Sequence, residues 1–200
     1  MRDQVGRHAI EKLLAAKLIE QSGRRRTLRL GDGRVQIEYR LWDVVLSKNI
    51  DGKRLAAHAR SCLSVKQCVR HGIEVIYHAS FSDTESLDML EANKDKHFVA
   101  PGISIIVRLL TEGDAIGISR AQAVAMGYEE EMEAACNTLK AMHKRGIRVL
   151  PGGDYGFAWA PHGANAMDLQ YFVKYLGFTP MEAIIAATKY GGQIMMQGNE

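Results

Sequence analysis

Residues 55–78, LAAHARSCLSVKQCVRHGIEVIYH, decide the fold. Leu55-Ala56-Ala57 reads as a short apolar strand ending at His58. Ser64 to His71 reads as a helix, because Val65, Cys68 and Val69 then share one face. Ile73-Glu74-Val75-Ile76-Tyr77 is a second strand, ending at His78. The same rhythm continues downstream. Asp83 is a good helix N-cap, followed by Leu87, Met89 and Leu90. His97-Phe98-Val99-Ala100 is a third strand, stopped by Pro101-Gly102. Residues 129–145 are the longest predicted helix, acidic at the start and ending in Lys144-Arg145, as the helix dipole favours. Ile147-Arg148-Val149-Leu150 is a fourth strand, followed by Pro151-Gly152-Gly153-Asp154. Two more helices are expected near 165–175 and 180–190, the second with Thr179 as N-cap and Pro180 in its first turn.

Four strands alternating with helices imply parallel βαβ connections with right-handed crossovers. Short apolar strands suit a parallel sheet covered by helices. Residues 53–190 divide into four units of about 34 residues, the spacing of half a (β/α)8 barrel. An open doubly wound sheet is the rival, but no G-x-G-x-x-G fingerprint follows any strand.

Residues 1–52 have a different character. Residues 5–21 carry Ile10, Leu13, Leu14 and Leu18 at helical spacing, and Gly23 ends that run. Thr27 to Leu30 and Val35 to Tyr39 alternate around Gly31-Asp32-Gly33, a hairpin signal. The chain has 200 residues and a formal charge of +3, and this excess is local. Residues 1–52 hold 11 basic and 7 acidic side chains, residues 53–200 hold 15 and 16. The peak at Arg24-Arg25-Arg26 raises nucleic-acid binding as one function class, ranked below a solvated turn. The expected division is therefore a helix and basic β-hairpin over 1–52 and a barrel-like part over 53–200. Hydrophobic residues make up 46% and charged residues 24%, which excludes a disordered tail or a fibre. No apolar run reaches the roughly 18 residues of a membrane span. No apolar segment follows Met1-Arg2-Asp3-Gln4, and Cys62, Cys68 and Cys136 form no C-x-x-C pair, so a reducing cytoplasm is expected.

Three of the four strands end in side chains able to bind a metal: His58, His78 and Asp154. In a parallel barrel all C-terminal strand ends lie on one face. Imidazole nitrogens and carboxylate oxygens suit zinc and similar divalent ions. A lone histidine at a strand end is more often structural; the recurring register is the stronger signal.

The stretches Arg54-Leu-Ala-Ala-His-Ala-Arg60, Gly72-Ile-Glu-Val-Ile-Tyr-His-Ala79 and Leu150-Pro-Gly-Gly-Asp-Tyr-Gly156 resemble the metal-dependent amidohydrolase superfamily, in its imidazolonepropionase-like and prolidase-like branch. Ala160-Pro-His-Gly-Ala-Asn165 and Gly177-Phe-Thr-Pro-Met-Glu-Ala-Ile-Ile-Ala-Ala-Thr188 extend the match, which covers about residues 53–199. The resemblance implies the C-terminal half of a (β/α)8 barrel that hydrolyses carbon–nitrogen bonds of a small-molecule substrate with one or two divalent ions, zinc above all. His58 and His78 would be metal ligands, and Asp154 a ligand and general base toward water. His162 and Tyr155 would contact substrate, with Trp159 beside them; a plain loop or rim role is the alternative for each. His71, His97 and His143 fall at the opposite face and read as structural. The His-x-His pair of the superfamily's first strand does not occur in the sequence. A catalytically inactive fragment is therefore the alternative, and self-association or pairing with a complementary half-barrel the expected means of completing the sheet.

Overall fold

The computed structural model describes residues 26–29, 35–38, 54–152 and 154–195. The predicted helix over 5–21 lies outside them. The chain divides into two compact units after Leu55. In the first, β1 (Arg26–Arg29) and β2 (Val35–Glu38) form the expected antiparallel hairpin, with Arg26 opposite Glu38 and Arg29 opposite Val35.

The second unit is a parallel sheet covered by helices. β3 (Ala56–Ser61), β4 (Val75–Phe81) and β5 (Phe98–Ala100) lie side by side in sequence order, all parallel. Residues 148–150 continue this order as a single parallel bridge. Val99 pairs with Val149, the Val99 amide donates to the Arg148 carbonyl, and the Leu150 amide donates to the Val99 carbonyl. The buried strand positions are apolar: Val75, Ile76, Phe98, Val99 and Val149. Burying each large aliphatic side chain stabilises the fold by roughly 1.5–3 kcal/mol.

α1 (Cys62–Arg70) connects β3 to β4 and buries Val65, Cys68 and Val69. This is the apolar stripe expected from the spacing, although the helix starts two residues earlier and takes Ser61 as its cap. α2 (Thr84–Ala92) starts on Asp83, whose carboxylate accepts from the Ser86 amide at 2.8 Å and pairs with Lys66 at 2.7 Å. The strands, in contrast, run further than predicted. β3 continues past His58 to Ser61 and β4 past His78 to Phe81, so both histidines lie inside their strands and not at the ends.

The segment after β5 had no predicted element. It forms α3 (Ile103–Glu112), a 3-10 turn at Gly113–Ile116 and α4 (Arg120–Ala125). α3 buries Ile103, Ser104, Ile105, Ile106, Val107, Leu109 and Leu110. Its polar residues Ser104, Arg108, Thr111 and Glu112 recur at helical spacing, so the sequence does carry an amphipathic period here. α5 (Tyr128–Lys144) packs along β4, and its Leu139 and Met142 are fully enclosed. α6 (Met167–Leu176) and α7 (Pro180–Ile185) close the C-terminal side. Thr179 caps α7 as predicted, in a reciprocal capping box with Glu182. α7 continues through a wider turn at Ala186–Tyr190 into α8 (Gly191–Ile194). No helix among the described residues is long and apolar enough to cross a membrane.

Asp83→Ala removes a cap and an ion pair while leaving the core intact. Urea unfolding should show a loss of about 1 kcal/mol with an unchanged denaturant slope.

Candidate metal centre

In a regular parallel ladder, residues that face each other across two strands point to the same side of the sheet. β3 and β4 pair His58 with Tyr77 and Ala59 with His78. By that register His78 should point away from His58. Its Nε2 nevertheless lies 2.7 Å from His58 Nδ1. The reason is in the backbone. His78 (φ +74°) and Ala79 (φ +53°) occupy the left-handed region, which costs a residue with a Cβ about 1 kcal/mol or more. The ladder is interrupted at the same place and resumes with Ser61 opposite Phe81. From 59 to 61 β3 advances by two residues while β4, from 78 to 81, advances by three. This is a β-bulge with the extra residue on β4, a device that re-aims a side chain.

Asp154 completes the group. Its Oδ2 lies 3.7 Å from His78 Nε2. Each of the three residues offers one ligand atom, and these atoms lie within 4.8 Å of one another. His58 is exposed, Asp154 half-buried and His78 buried. Burial, and then the Arg60 guanidinium, push His78 down to about 4, against the opposing pull of Asp154. The ring is therefore neutral. Its Nδ1 faces the Pro101 carbonyl at 3.4 Å. A carbonyl only accepts, so Nδ1 carries the proton and Nε2 presents its lone pair toward His58 and Asp154. Gly102, at φ +62°, lies beside this group: a Cβ there would make ordinary van der Waals contacts, 3.4 Å from His78 Nδ1 and 3.7 Å from the Asp154 amide nitrogen.

The remaining predicted site residues lie around the loop after residue 150. Tyr155 turns its hydroxyl toward Ser104 and Asp168, with the Asn165 carbonyl at 3.4 Å, and burial pushes its pKa up. His162 is exposed, its ring against Gly156, where a Cβ would lie 3.1 Å from Nε2. Neither belongs to the three-residue group. Trp159 stacks on Phe157, and its carbonyl accepts from Arg108 Nε. His97 is buried with Nδ1 2.7 Å from the Ile73 carbonyl, and His143 stacks on Phe178 at 3.7 Å.

Two acidic residues near the group were not singled out by the sequence. Glu131, in the first turn of α5, pairs with Arg60 and accepts from Ser80 Oγ at 2.9 Å. Asp168, in the first turn of α6, is buried, faces the Tyr155 hydroxyl and the Gly152 amide, and leaves Oδ1 without a partner. Each sits where an acidic residue is ordinary on dipole grounds alone, so neither stands out in the sequence.

The chain is similar, over part of their length, to an ochratoxinase and to a prolidase-like protein, relatives that support the prolidase-like branch of the amidohydrolase superfamily. It is 28% identical over 137 residues to the ochratoxinase of Aspergillus niger, which takes in 67% of this chain and 26% of that protein. It superposes with a TM-score of 0.68 on a protein from Bifidobacterium longum assigned as a prolidase, at 25% identity, over 79% of this chain and 40% of that one. It also shares its fold with a Xaa-Pro dipeptidase solved with methionine in its active site (TM-score 0.62, 24% identity, 79% of this chain and 37% of that one). The chain spans about a quarter of the length of the curated relatives it matches. No protein-family model matches it.

Burial raises the Asp168 carboxyl from its ordinary 3.8 to about 6. In the window between these values the unfolded chain has released the proton and the folded chain retains it. Stability therefore falls as pH rises from about 4 to about 6, then levels off. Asp168→Asn should remove this slope. Unfolding free energies compared at pH 4 and pH 7 should shift in favour of the variant, relative to the parent chain, by on the order of 2 kcal/mol.

Proposed function

We propose that His58, His78 and Asp154 are ligands of a divalent metal centre in an amide-bond hydrolase, the metal being zinc. The observation that carries this reading is the convergence of the three side chains, from three separated parts of the sequence, in a fold shared with the prolidase-like branch. The donor set supports it. Two imidazoles and a carboxylate match the three protein ligands of hydrolytic zinc sites. A bound divalent ion would supply an acidified water and polarise the amide carbonyl.

The chain's own groups have distinct tasks in this scheme. His78, fixed by Pro101 and enclosed by the sheet, presents Nε2 in one orientation. His58 closes the same site from the solvent side. Asp154 holds a carboxylate oxygen beside the histidines, where it also accepts the proton released as water attacks. Tyr155 and His162 sit on the adjoining loop and contact a small-molecule substrate there. The relatives named as ochratoxinase and Xaa-Pro dipeptidase support a carbon–nitrogen bond as the one cleaved. Four parallel strand positions in sequence order suit one half of a (β/α)8 barrel, completed by association with a second copy or with a complementary half. The absence of disulfides suits a reducing compartment; Cys62, Cys68 and Cys136 are all free thiols, and burial pushes Cys68 up to about 11.

The test is metal analysis of the purified full-length chain. Stoichiometric zinc or cobalt is expected, with affinity reduced at least tenfold in both His78→Ala and Asp154→Ala. A chain that retains no divalent metal, or one whose metal content is unchanged from the parent in both variants, rules the proposal out.

A further inference from the structure

The bulge that turns His78 toward His58 needs something to hold it. Two left-handed residues carrying a Cβ are individually unfavourable and persist only where surrounding contacts over-determine them. The residues at this bulge are Arg60 on β3 and Ala79-Ser80 on β4. Arg60 and Ser80 are both bound by one carboxylate oxygen: Glu131 Oε1 pairs with Arg60 Nη1 and accepts from Ser80 Oγ at 2.9 Å. The Glu131 side chain is 13% exposed and Ser80 is 1% exposed, so water competes weakly for the Ser80 contact; the Arg60 side chain, 40% exposed, holds the more solvated end of the pair. A second residue of α5 adds to the same grip. Thr138 Oγ1 donates to the Ser80 carbonyl at 3.1 Å. On the far side of the kink, Ser82 Oγ donates to the Ala79 carbonyl at 3.0 Å.

We infer that Glu131 is a positioning residue for the metal centre: by holding Arg60 and Ser80 together across the bulge, it sets the direction in which His78 meets His58. The reasoning builds on the proposed metal-binding role of those histidines, but the geometric part stands without a metal. Glu131 belongs to a helix packed behind β4, and its carboxylate touches neither histidine. It acts through the backbone that carries one of them. Outer partners of this kind typically change metal affinity 10–100-fold when removed.

The experiment uses the full 200-residue chain with selectively labelled histidine. In metal-free protein, ring-to-ring nuclear Overhauser contacts between His58 and His78 report the convergence directly. Zinc titration reports its consequence. Both should be present in the parent chain and in Thr179→Ala, which lowers stability through the α7 cap. Glu131→Ala should lose the ring contact and weaken zinc binding 10–100-fold while keeping native helical circular dichroism. Glu131→Gln, which keeps an acceptor for Ser80, should recover most of both. If Glu131→Ala does not fold, Ser80→Ala takes its place with the same expectation in weaker form. An undiminished ring contact in a folded Glu131→Ala, or in Ser80→Ala where that variant stands in, overturns the inference. If the parent chain binds no zinc, yet the ring contact is present and depends on Glu131, the metal-centre reading fails and the positioning role holds.

Discussion

The candidate centre depends on a conflict between two rules of strand geometry. Side chains alternate along a strand, and paired residues in a parallel ladder share a side. His58 and His78 are one register step out of agreement, so an undisturbed sheet would place them on opposite sides. Their convergence at 2.7 Å therefore requires a local break in the sheet, located at His78 itself. The positive φ angles at His78 and Ala79 are that break.

The second unit is arranged around keeping the break in one conformation. Behind the sheet, α5 contributes Glu131 and Thr138 to the bulge and buries Leu139 and Met142 a turn or two further on. Its C-terminal end is held by Arg145, which pairs with Asp88 and Glu91 of α2. The same helix thus links the core to the backbone near the histidines. The loop that carries Asp154 is confined separately. Gly152 leaves so little space that a Cβ there would lie 3.1 Å from the Ala100 side chain, while Asp168 faces its amide. Among the described residues, Ser104 Oγ and Asp168 Oδ1 on this side of the site are buried without a protein hydrogen-bond partner.

Local features were legible in the sequence because each depends on a few neighbouring residues. Asp83 and Thr179 cap helices through contacts three residues away, and the alternating strands at 26–29 and 35–38 pair antiparallel. The strand–helix–strand alternation around His58 and His78 was visible as well. The misses have a common cause. Strand ends depend on the neighbouring strand, so β3 and β4 ran on past their histidines. Glu131 and Asp168 become notable only when the chain brings them beside residues far away in sequence, Glu131 being 71 positions from Arg60. Asp154 was found because it follows the last predicted strand, but its distance from His78 is a property of the folded sheet.

Gly102 carries a consequence of a different kind. It is neither a ligand nor a contact to one through any side chain of its own, yet it occupies the narrow space between His78 and the Asp154 backbone with a left-handed φ of +62°. Every missense change in its codon adds a carbon to that space and, at the same time, a Cβ to a backbone conformation that disfavours one. The backbone strain is the costly part, since the carbon itself would meet its neighbours at ordinary van der Waals distance. In genetic terms this position is a point of fragility for the whole site: a lineage could keep all three metal-capable side chains intact and still lose their arrangement through a single methyl group at a residue with no chemistry of its own.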